Sequence, residues 1–292
     1  MALVPLTGLL ADAVAGGYAV GYFEAWDGYS LEAVLEAAEA EHAPVILGFG
    51  CLLVDQGWLD AGGIEALACL GRAAAERSRV PVSLLLNEAH TLEHALRGVD
   101  AGFNAVMLCS SDVATVSGLV REAHGRGVAV EGELGTLPDA VGDEIDASHA
   151  SLTDPEQAAA FVEATGVDCL AVSFGNVHVL EGRTAAVDLD RLDAVHRRVG
   201  VPLVVHGGTS FPADAVEAAI ARGVAKFNVG TALKRAYLDG LTAGVTSAAA
   251  AASLHDLLGS HGPSDLLVAA RERMIGVVRD LIRLYGSSGR AA

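Results

Sequence analysis

The sequence predicts a single (β/α)8 TIM barrel with extra carboxyl-terminal helices. Eight short apolar segments alternate with alanine-rich amphipathic segments, which is the pattern of parallel strands covered by helices. The connections contain no linker, and a chain of 292 residues suits one barrel of about 250 residues with additions. We expect the barrel to occupy residues 1–285 and the segment GSSGRAA, 286–292, to form a flexible tail.

The first half of the chain supplies four predicted strands. Ser30 can cap the second helix, because its hydroxyl can accept a hydrogen bond from a free backbone N–H of the first turn. The predicted strands are YAVGYFEA (18–25), APVILGFG (43–50), VPVSLLLN (80–87) and NAVMLCSS (104–111). The predicted helices are 6–17, 31–41, one within 60–78, and 91–102.

The second half repeats the pattern after Asp112, which can cap a helix over 113–127. The helix over 153–166 begins with a capping residue followed by an early proline. The predicted strands are VAVEGELG (128–135), DCLAVSFG (168–175), VPLVV (201–205) and VAKFNVGT (224–231), and an irregular acidic loop occupies 136–152. A doubly wound open sheet is the alternative, but no G-x-G-x-x-G follows the first strand. The helices after 231 could close the barrel floor or form an oligomer surface.

The charge of the chain excludes one class of partner. The formal charge is −18, with 37 acidic against 19 basic residues, and no Lys/Arg cluster suits a phosphate backbone. The four cysteines lie in apolar runs without C-x-x-C spacing, which favours buried free thiols in a reducing compartment. No basic, apolar leader opens the chain and no run reaches membrane-spanning length. We therefore expect a cytoplasmic protein without nucleic-acid or membrane partners.

The stretch VPLVVHGGTS, 201–210, carries the strongest functional signal. A buried strand ends in His206, followed by Gly207, Gly208, Thr209 and Ser210, and then by a helix start. Parallel α/β folds keep their chemistry at the carboxyl ends of strands. Backbone N–H groups and hydroxyls beside a helix N-terminus suit a phosphate. A strand-ending histidine with a simple glycine turn is the alternative.

Other strand ends add imidazoles and carboxylates that would meet at the same barrel mouth. Charged groups buried together need partners, and a divalent cation is an economical one for two imidazoles and one or two carboxylates. Glu131 and Glu133 are two residues apart on a strand and so face the same way. The remaining candidates are Glu24, Asn87, Glu88, His90, His178, Asn228, Gly230 and Thr231.

Taken together, these motifs resemble those of the class II, metal-dependent ketose-bisphosphate aldolases. The matching segments, in family order, are PVILGFG, VEGELG, TDPEQAAAFVEATGVDCLAVSFGNVH, VDLDRL, VPLVVHGGTS and GVAKFNVGT. The resemblance implies a (β/α)8 barrel, commonly a homodimer or homotetramer, that acts on a sugar phosphate. It also implies a divalent metal, most commonly Zn²⁺, that polarises a ketose carbonyl and stabilises the enediolate left by C–C cleavage.

By position, the resemblance assigns roles to residues of this chain. His178 and His206 match two of the family's three metal-binding histidines, and Glu133 matches a glutamate of an alternative metal position. The loop from Gly207 to Ser210 matches the segment that holds the dihydroxyacetone-phosphate phosphate. The segment Asn228, Val229, Gly230 and Thr231 matches the other phosphate-side segment, where the asparagine also touches the enediolate end.

Two departures fall at the end of strand three. The catalytic aspartate of the family becomes Asn87, and the third metal-binding histidine becomes Glu88. Glu88, His178 and His206 would form a 2-His-1-carboxylate site, which suits Zn²⁺ or a harder ion such as Mn²⁺, Mg²⁺ or Co²⁺. Asn87 can orient a substrate hydroxyl but cannot act as a general base. The proton shuttle would therefore come from Glu131, His90, Glu24 or the substrate.

Further departures concern the substrate. The family glycine after the strand-six histidine is Val179, and the tyrosine–lysine pair beyond it is Glu181 and Gly182. Glu24 replaces an asparagine. Acidic groups at the mouth would repel a bisphosphate, which argues against fructose 1,6-bisphosphate.

Three hypotheses follow, in order of preference. The first is a metal-dependent aldolase-type lyase for a different ketose phosphate or related sugar. The second is an isomerase or epimerase that uses the same carbonyl polarisation with another proton donor. The third is a catalytically degenerate homologue that binds a sugar phosphate.

Overall fold

A computed structural model shows a closed barrel of eight parallel strands, which confirms the predicted (β/α)8 fold. The structure describes residues 3–141, 144–146, 148, 150–178, 180, 182–247 and 253–291. Each strand pairs with its neighbours in sequence, and the last strand pairs with the first to close the ring. The strands are β1 Val20–Glu24, β2 Val45–Gly50, β3 Val82–Ala89, β4 Ala105–Leu108, β5 Ala129–Leu134, β6 Cys169–Val172, β7 Leu203–Val205 and β8 Val224–Val229.

A helix follows each strand, and further helices lie at both ends of the chain. The helices are α1 Leu6–Gly16, α2 Gly28–Ala40, α3 Ile64–Ala75, α4 Leu92–Ala101, α5 Val113–His124, α6 Pro155–Thr165, α7 Leu189–His196, α8 Val216–Ile220, α9 Thr231–Ser247 and α10 Leu266–Leu284. Short helical turns lie at Gln56–Trp58, Leu59–Gly63, Gly208–Ser210, Ala213–Ala215 and Leu254–Leu257. None of the helices among the described residues is long and apolar enough to cross a membrane.

The barrel floor is formed by α1. Its Leu6, Leu9 and Leu10 are buried in one cluster with Val20 and the other inward-facing strand residues. The carboxyl-terminal helix α10 instead lies outside the barrel, packed against α2 and α9. The amino-terminal end of the barrel is therefore plugged by apolar side chains, which leaves the carboxyl-terminal end for polar ones.

Local signals account for most helix starts. Asp112 and Asp154 cap α5 and α6 as predicted. The cap of α2 is Asp27 rather than Ser30, so the helix begins three residues before the predicted Leu31. Ser30 serves as the other half of this capping box, since its hydroxyl accepts a hydrogen bond from the Asp27 N–H at 3.0 Å.

Three other expectations are corrected. The strand β3 runs to Ala89 rather than ending at residue 87, and the acidic loop contains a short antiparallel hairpin of Asp139–Val141 with Glu144–Asp146. All four cysteines are free, but Cys69 and Cys109 are exposed rather than buried.

The carboxyl-terminal segment, predicted to be a flexible tail, is held against the end of α2 through Ser288, Gly289 and Ala291. The Glu41 carboxylate accepts hydrogen bonds from Arg279, Arg283 and Ser288. The Gly289 N–H donates to the Glu41 carbonyl at 2.8 Å. The side chain of Glu41 is only 7% exposed, so its charge requires these donors, and together they fix the segment.

The Glu41 cluster predicts a pH-dependent contribution to stability. Hydrogen bonds from Arg283, against the opposing effect of burial, lower the Glu41 pKa from 4.5 to about 2. Glu41→Gln should therefore reduce the free energy of unfolding by about 1–2 kcal/mol at neutral pH. The Glu41 pKa is lower in the folded than in the unfolded protein. The difference in the free energy of unfolding between wild type and variant should therefore reach its full value above about pH 4.5 and disappear towards about pH 2.

Chemical denaturation at several pH values measures this difference. Glu39→Gln is the matched control, because the Arg79 partner of Glu39 is 83% exposed and the pair should contribute little. A Glu41→Gln variant as stable as wild type at pH 7 would contradict the assignment.

Candidate metal and substrate site

A polar cavity of about 130 Å³ opens at the carboxyl ends of the strands. It is lined by residues from the ends of β1, β2, β3, β7 and β8 and from the loop after β6. The cavity therefore lies where a (β/α)8 barrel carries its chemistry, opposite the floor closed by α1.

Glu88, His178 and His206 converge on one side of this cavity. One potential ligand atom from each lies within 4.8 Å of the other two. The Glu88 Oε1 atom lies 3.5 Å from His206 Nδ1 and 3.8 Å from His178 Nε2. Glu133 approaches the same point, with its Oε1 atom 3.5 Å from His206 Nδ1. The structure thus brings together all four residues for which the sequence suggests a metal-binding role.

Two unusual backbone positions place these side chains. Glu88 has a φ of 56°, a left-handed conformation that is rare outside glycine, and the pairing of β3 with β4 shifts register between Leu86 and Ala89. This irregularity turns Glu88 towards the histidines. Gly207 has a φ of 72°, and a Cβ there would lie 2.2 Å from the Val177 carbonyl oxygen. Only glycine therefore allows the loop after His206 to pack against the segment that carries His178.

His206 is held from behind by a buried chain of charged groups. Its Nε2 atom lies 2.9 Å from Glu131 Oε1, and the Lys226 ammonium donates to Glu131 Oε2 at 2.6 Å. Lys226 is fully buried and also donates to Asn228 Oδ1 at 2.6 Å. A carboxylate on one imidazole nitrogen fixes the ring and leaves the other nitrogen, Nδ1, facing the cavity.

The pKa shifts follow from this arrangement. Burial would raise the pKa of Glu131, but the Lys226 charge and the His206 hydrogen bond outweigh it and lower that pKa to about 2. Burial raises the pKa of Glu133 to about 7, against the attraction of His206. Burial would lower the pKa of His206, but its hydrogen bond to Glu131 and the nearby carboxylates of Glu88 and Glu133 raise it to about 10.

The residues fit a divalent cation. His206 Nδ1 and Glu133 Oε1 are buried and have no hydrogen-bond partner among the described residues. Unpaired buried polar atoms are costly, and a cation would satisfy both of them once the imidazole has lost its proton. Two imidazoles, one carboxylate and a nearby second carboxylate match the donor sets of zinc and of harder transition-metal ions.

The predicted substrate loops line the cavity only in part. Gly207, Thr209 and the whole segment from Asn228 to Thr231 contribute to its wall. Gly208 and Ser210 do not contribute to it, and the Ser210 hydroxyl hydrogen-bonds backbone carbonyls instead. Thr209 Oγ1 accepts a hydrogen bond from the Ala232 N–H at 3.1 Å, which ties the two loops together.

A second cavity of about 270 Å³ adjoins the first through Thr209 and Thr231. Gly182, Arg235 and Arg273 also line it, so two arginines lie on this side. Val179 and Glu181, which sequence reasoning placed near the phosphate, lie outside the described residues.

The structure places the proton-transfer candidates differently with respect to the cavity. Asn87 lines the cavity, and its Oδ1 atom has no partner among the described residues. Glu131 is 1% exposed and lies behind His206, not on the cavity wall. His90 also lies off the wall, with its Nε2 atom 2.8 Å from the Cys51 carbonyl oxygen. Of the candidates for the proton shuttle, Glu131 and His90 therefore lie off the cavity wall.

Glu24 does line the cavity, paired with a lysine. Its Oε1 atom accepts a hydrogen bond from Lys234 Nζ at 2.7 Å. A Cβ at Gly230 would lie 2.1 Å from Glu24 Oε2, so the glycine makes room for this carboxylate. Burial raises the pKa of Glu24, with Lys234 opposing the shift.

Sequence reasoning missed three residues of this region, namely Tyr22, Lys226 and Lys234. Strand periodicity could have found the first two, because Tyr22 lies two residues before Glu24 and Lys226 two before Asn228. Lys234 lies in the first turn of α9, and its position at the cavity depends on the direction of that helix.

Comparison with known proteins gives one consistent answer. A family model described as class II fructose-bisphosphate aldolase matches residues 4–290. A protein of Bacillus subtilis (strain 168) named probable fructose-bisphosphate aldolase is 33% identical over 300 residues, covering all of both chains. The crystal structure of the YdjI aldolase from Escherichia coli K12 matches with a TM-score of 0.79 and 27% identity, covering 99% of this chain and 100% of that one. Fructose-bisphosphate aldolase from Campylobacter jejuni shares the fold, with a TM-score of 0.74 and 22% identity over 98% of this chain and 96% of that one.

The buried Lys226–Glu131 pair leads to a prediction about stability. Lys226→Met leaves a buried carboxylate without its cation and should reduce the free energy of unfolding by about 3–5 kcal/mol. The double variant Lys226→Met/Glu131→Gln should recover most of that loss, because the remaining buried group is then neutral.

Chemical denaturation of the single and double variants tests this coupling. Arg79→Met is the control, since it breaks an exposed ion pair and should change stability by less than about 1 kcal/mol. Equal losses in the single and double variants would contradict the coupling.

Proposed function

The chain belongs to the class II fructose-bisphosphate aldolase family, and from that premise we propose that it is a divalent-metal-dependent aldolase-type lyase. It would cleave or form a C–C bond in a ketose phosphate or related sugar other than fructose 1,6-bisphosphate. One observation carries the proposal. The Glu88, His178 and His206 cluster and the Thr209 and Asn228–Thr231 segments share one cavity at the barrel mouth.

Glu88, His178 and His206 would hold the cation, with Glu133 as a further ligand. The family is generally dependent on a divalent metal, and this donor set supports Zn²⁺ first, with Mn²⁺, Co²⁺ or Mg²⁺ as alternatives. Such a cation supplies positive charge that polarises a ketose carbonyl. Glu131 and Lys226 hold His206 in place and are positioning residues rather than proton carriers.

The phosphate end of the substrate would bind on the side of Gly207, Thr209 and Thr231. Backbone N–H groups of these loops suit an anion, and Arg235 and Arg273 line the adjoining cavity. Gly208 and Ser210 support the loop without facing the ligand. We infer that these arginines supply the cationic charge that the family obtains from the lysine replaced here by Gly182.

Glu24 is the group that supports proton transfer. In the cleavage direction, its carboxylate would take the proton from the substrate hydroxyl on the aldehyde-forming carbon of the scissile C–C bond. That C–C bond breaks, an aldehyde leaves, and the electron pair moves to the ketose carbonyl oxygen to give an enediolate. A proton returned to the enediolate carbon then gives the ketone. Asn87 can orient the hydroxyl but cannot take its proton.

The same carboxylate supports selection against bisphosphates. Glu24 forms an ion pair with Lys234, whose ammonium would otherwise suit a phosphate. It also adds a negative charge beside Glu88. The wall formed by Leu52, Leu53 and Val54 is apolar. An uncharged aldehyde product suits this side of the cavity better than an aldehyde phosphate. By analogy with the family, we further infer a homodimer or homotetramer that works in the cytoplasm.

The proposal predicts about one divalent cation per chain in purified protein, because the cluster offers a single set of ligands. His178→Ala and His206→Ala should weaken cation affinity by more than about a hundredfold, since each removes a ligand directly. Elemental analysis and metal titration measure both quantities.

His90→Ala is the matched control, because His90 lies at the same strand end but is bonded to the Cys51 carbonyl. It should bind the cation like wild type. The proposal would be contradicted if the purified wild-type protein contained no cation and also failed to bind one in titration.

The role of Glu24 predicts a kinetic effect. Glu24→Gln keeps the size of the side chain and a hydrogen bond to Lys234 but removes the base, so kcat for retro-aldol cleavage should fall by about 10²–10⁴-fold. KM should change little. The fall of wild-type activity at acid pH, as the carboxylate of raised pKa becomes protonated, should be lost in the variant.

Release of aldehyde from a panel of ketose phosphates provides the assay. Glu131→Gln serves as the comparison, because a positioning residue should alter metal affinity as well as rate. If Glu24→Gln kept the wild-type kcat and pH profile, Glu24 would not be the base.

A further inference from the structure

We propose that Tyr22 is a further catalytic residue, whose hydroxyl and the Asn228 amide together donate hydrogen bonds to the substrate oxygen that becomes negatively charged. The inference rests on the proposed function and adds a residue that the sequence motifs do not mark. Tyr22 lies on the inner face of β1 and lines the cavity.

Tyr22 and Asn228 are neighbours across the strand pair that closes the barrel. Their Cα atoms are partners in the parallel register of β1 with β8, and both side chains reach the cavity. Lys226 lies beside both residues, with Nζ 5.0 Å from the centre of the Tyr22 ring and 2.6 Å from Asn228 Oδ1. Because an ammonium can only donate, it takes the amide oxygen and leaves Nδ2 of Asn228 to face another group.

Both donors are buried and unused. Tyr22 is 2% exposed and Asn228 8% exposed, and neither the Tyr22 hydroxyl nor Asn228 Nδ2 has a hydrogen-bond partner among the described residues. Buried polar groups are normally paired, so two adjacent unpaired donors on a cavity wall indicate a ligand acceptor. Asn87 supplies an acceptor instead, since its free atom is Oδ1.

The fold makes specific room for the phenol. A Cβ at Gly48 of β2 would lie 2.2 Å from the Tyr22 ring. Burial, and then the negative charges of Glu24 and Glu88, raise the pKa of Tyr22 well above its ordinary value. The hydroxyl therefore keeps its proton and acts as a donor, while a carboxylate at this position could only accept.

These donors act where charge develops. When the C–C bond breaks, its electron pair moves to the carbonyl oxygen, which then accepts hydrogen bonds from Tyr22 and Asn228 without taking their protons. Hydrogen bonds to an oxyanion are stronger than those to a neutral carbonyl. Loss of one donor should therefore lower kcat by about ten- to a hundredfold and change KM little.

Tyr22→Phe tests this role, because it removes only the hydroxyl. The first readout is the rate at which metal-loaded protein exchanges the C3 hydrogen of dihydroxyacetone phosphate with D₂O. Proton NMR measures this rate. The second readout is calorimetric affinity for phosphoglycolohydroxamate, which mimics the enediolate. Tyr22→Phe should reduce both by about ten- to a hundredfold, with metal content and unfolding midpoint unchanged. Tyr285→Phe is the matched control. Its hydroxyl is also buried and lacks a partner in the part of the chain that the structure describes, but its backbone joins the amino-terminal side of β1.

Two outcomes would overturn the inference. One is exchange and hydroxamate affinity within twofold of wild type in Tyr22→Phe, and the other is loss of the cation in that variant, which would place Tyr22 in metal binding instead. Failure of the wild-type protein to exchange the hydrogen and bind the hydroxamate would instead reject the proposed function from which the inference starts.

Discussion

The contact between the Lys226 ammonium and Glu131 inside the barrel is the interaction on which the rest of the site depends. Both groups are fully buried, and each offsets the cost of burying the other's charge. Through Glu131 the ammonium fixes the His206 ring, and through its second hydrogen bond it fixes the Asn228 amide. The Lys226 ammonium does not line the cavity, but it thus helps to orient two residues that do, His206 and Asn228. The apolar floor supplied by α1 keeps water from the other end of this network.

Backbone geometry imposes the second constraint. The left-handed conformation of Glu88 and the shifted pairing of β3 direct its carboxylate towards the histidines. A glutamate at a position where the family carries a histidine can therefore still reach the same point. Gly207, in the loop after β7, imposes a second backbone constraint, because its close approach to Val177 fixes the distance between the two histidine-bearing segments. Main-chain conformation thus places Glu88 and the two histidine-bearing segments, while the Glu131 carboxylate orients the His206 ring.

The sequence was sufficient to predict the barrel and the strand ends that meet at its mouth, because alternation and capping are local signals. It also identified Glu88, His178, His206 and Glu133, which the structure brings together. It could not separate Glu131 from Glu133, since strand periodicity sets the face of a residue but not its depth in the barrel. Strand periodicity places Lys226 on the face of Asn228, but the role of the lysine depends on its partner Glu131 from another strand, which the sequence does not identify. The carboxyl-terminal segment looked free because its anchor, Glu41, lies far away in the chain.

The space that Gly230 leaves for Glu24 also sets how far this carboxylate extends. A Cβ at position 230 would lie 2.1 Å from Glu24 Oε2, so a larger residue there would push the end of the glutamate aside. The other oxygen of the same carboxylate accepts the hydrogen bond from Lys234. A substitution at a residue that carries no functional group would therefore reposition an anion and a cation on the cavity wall together.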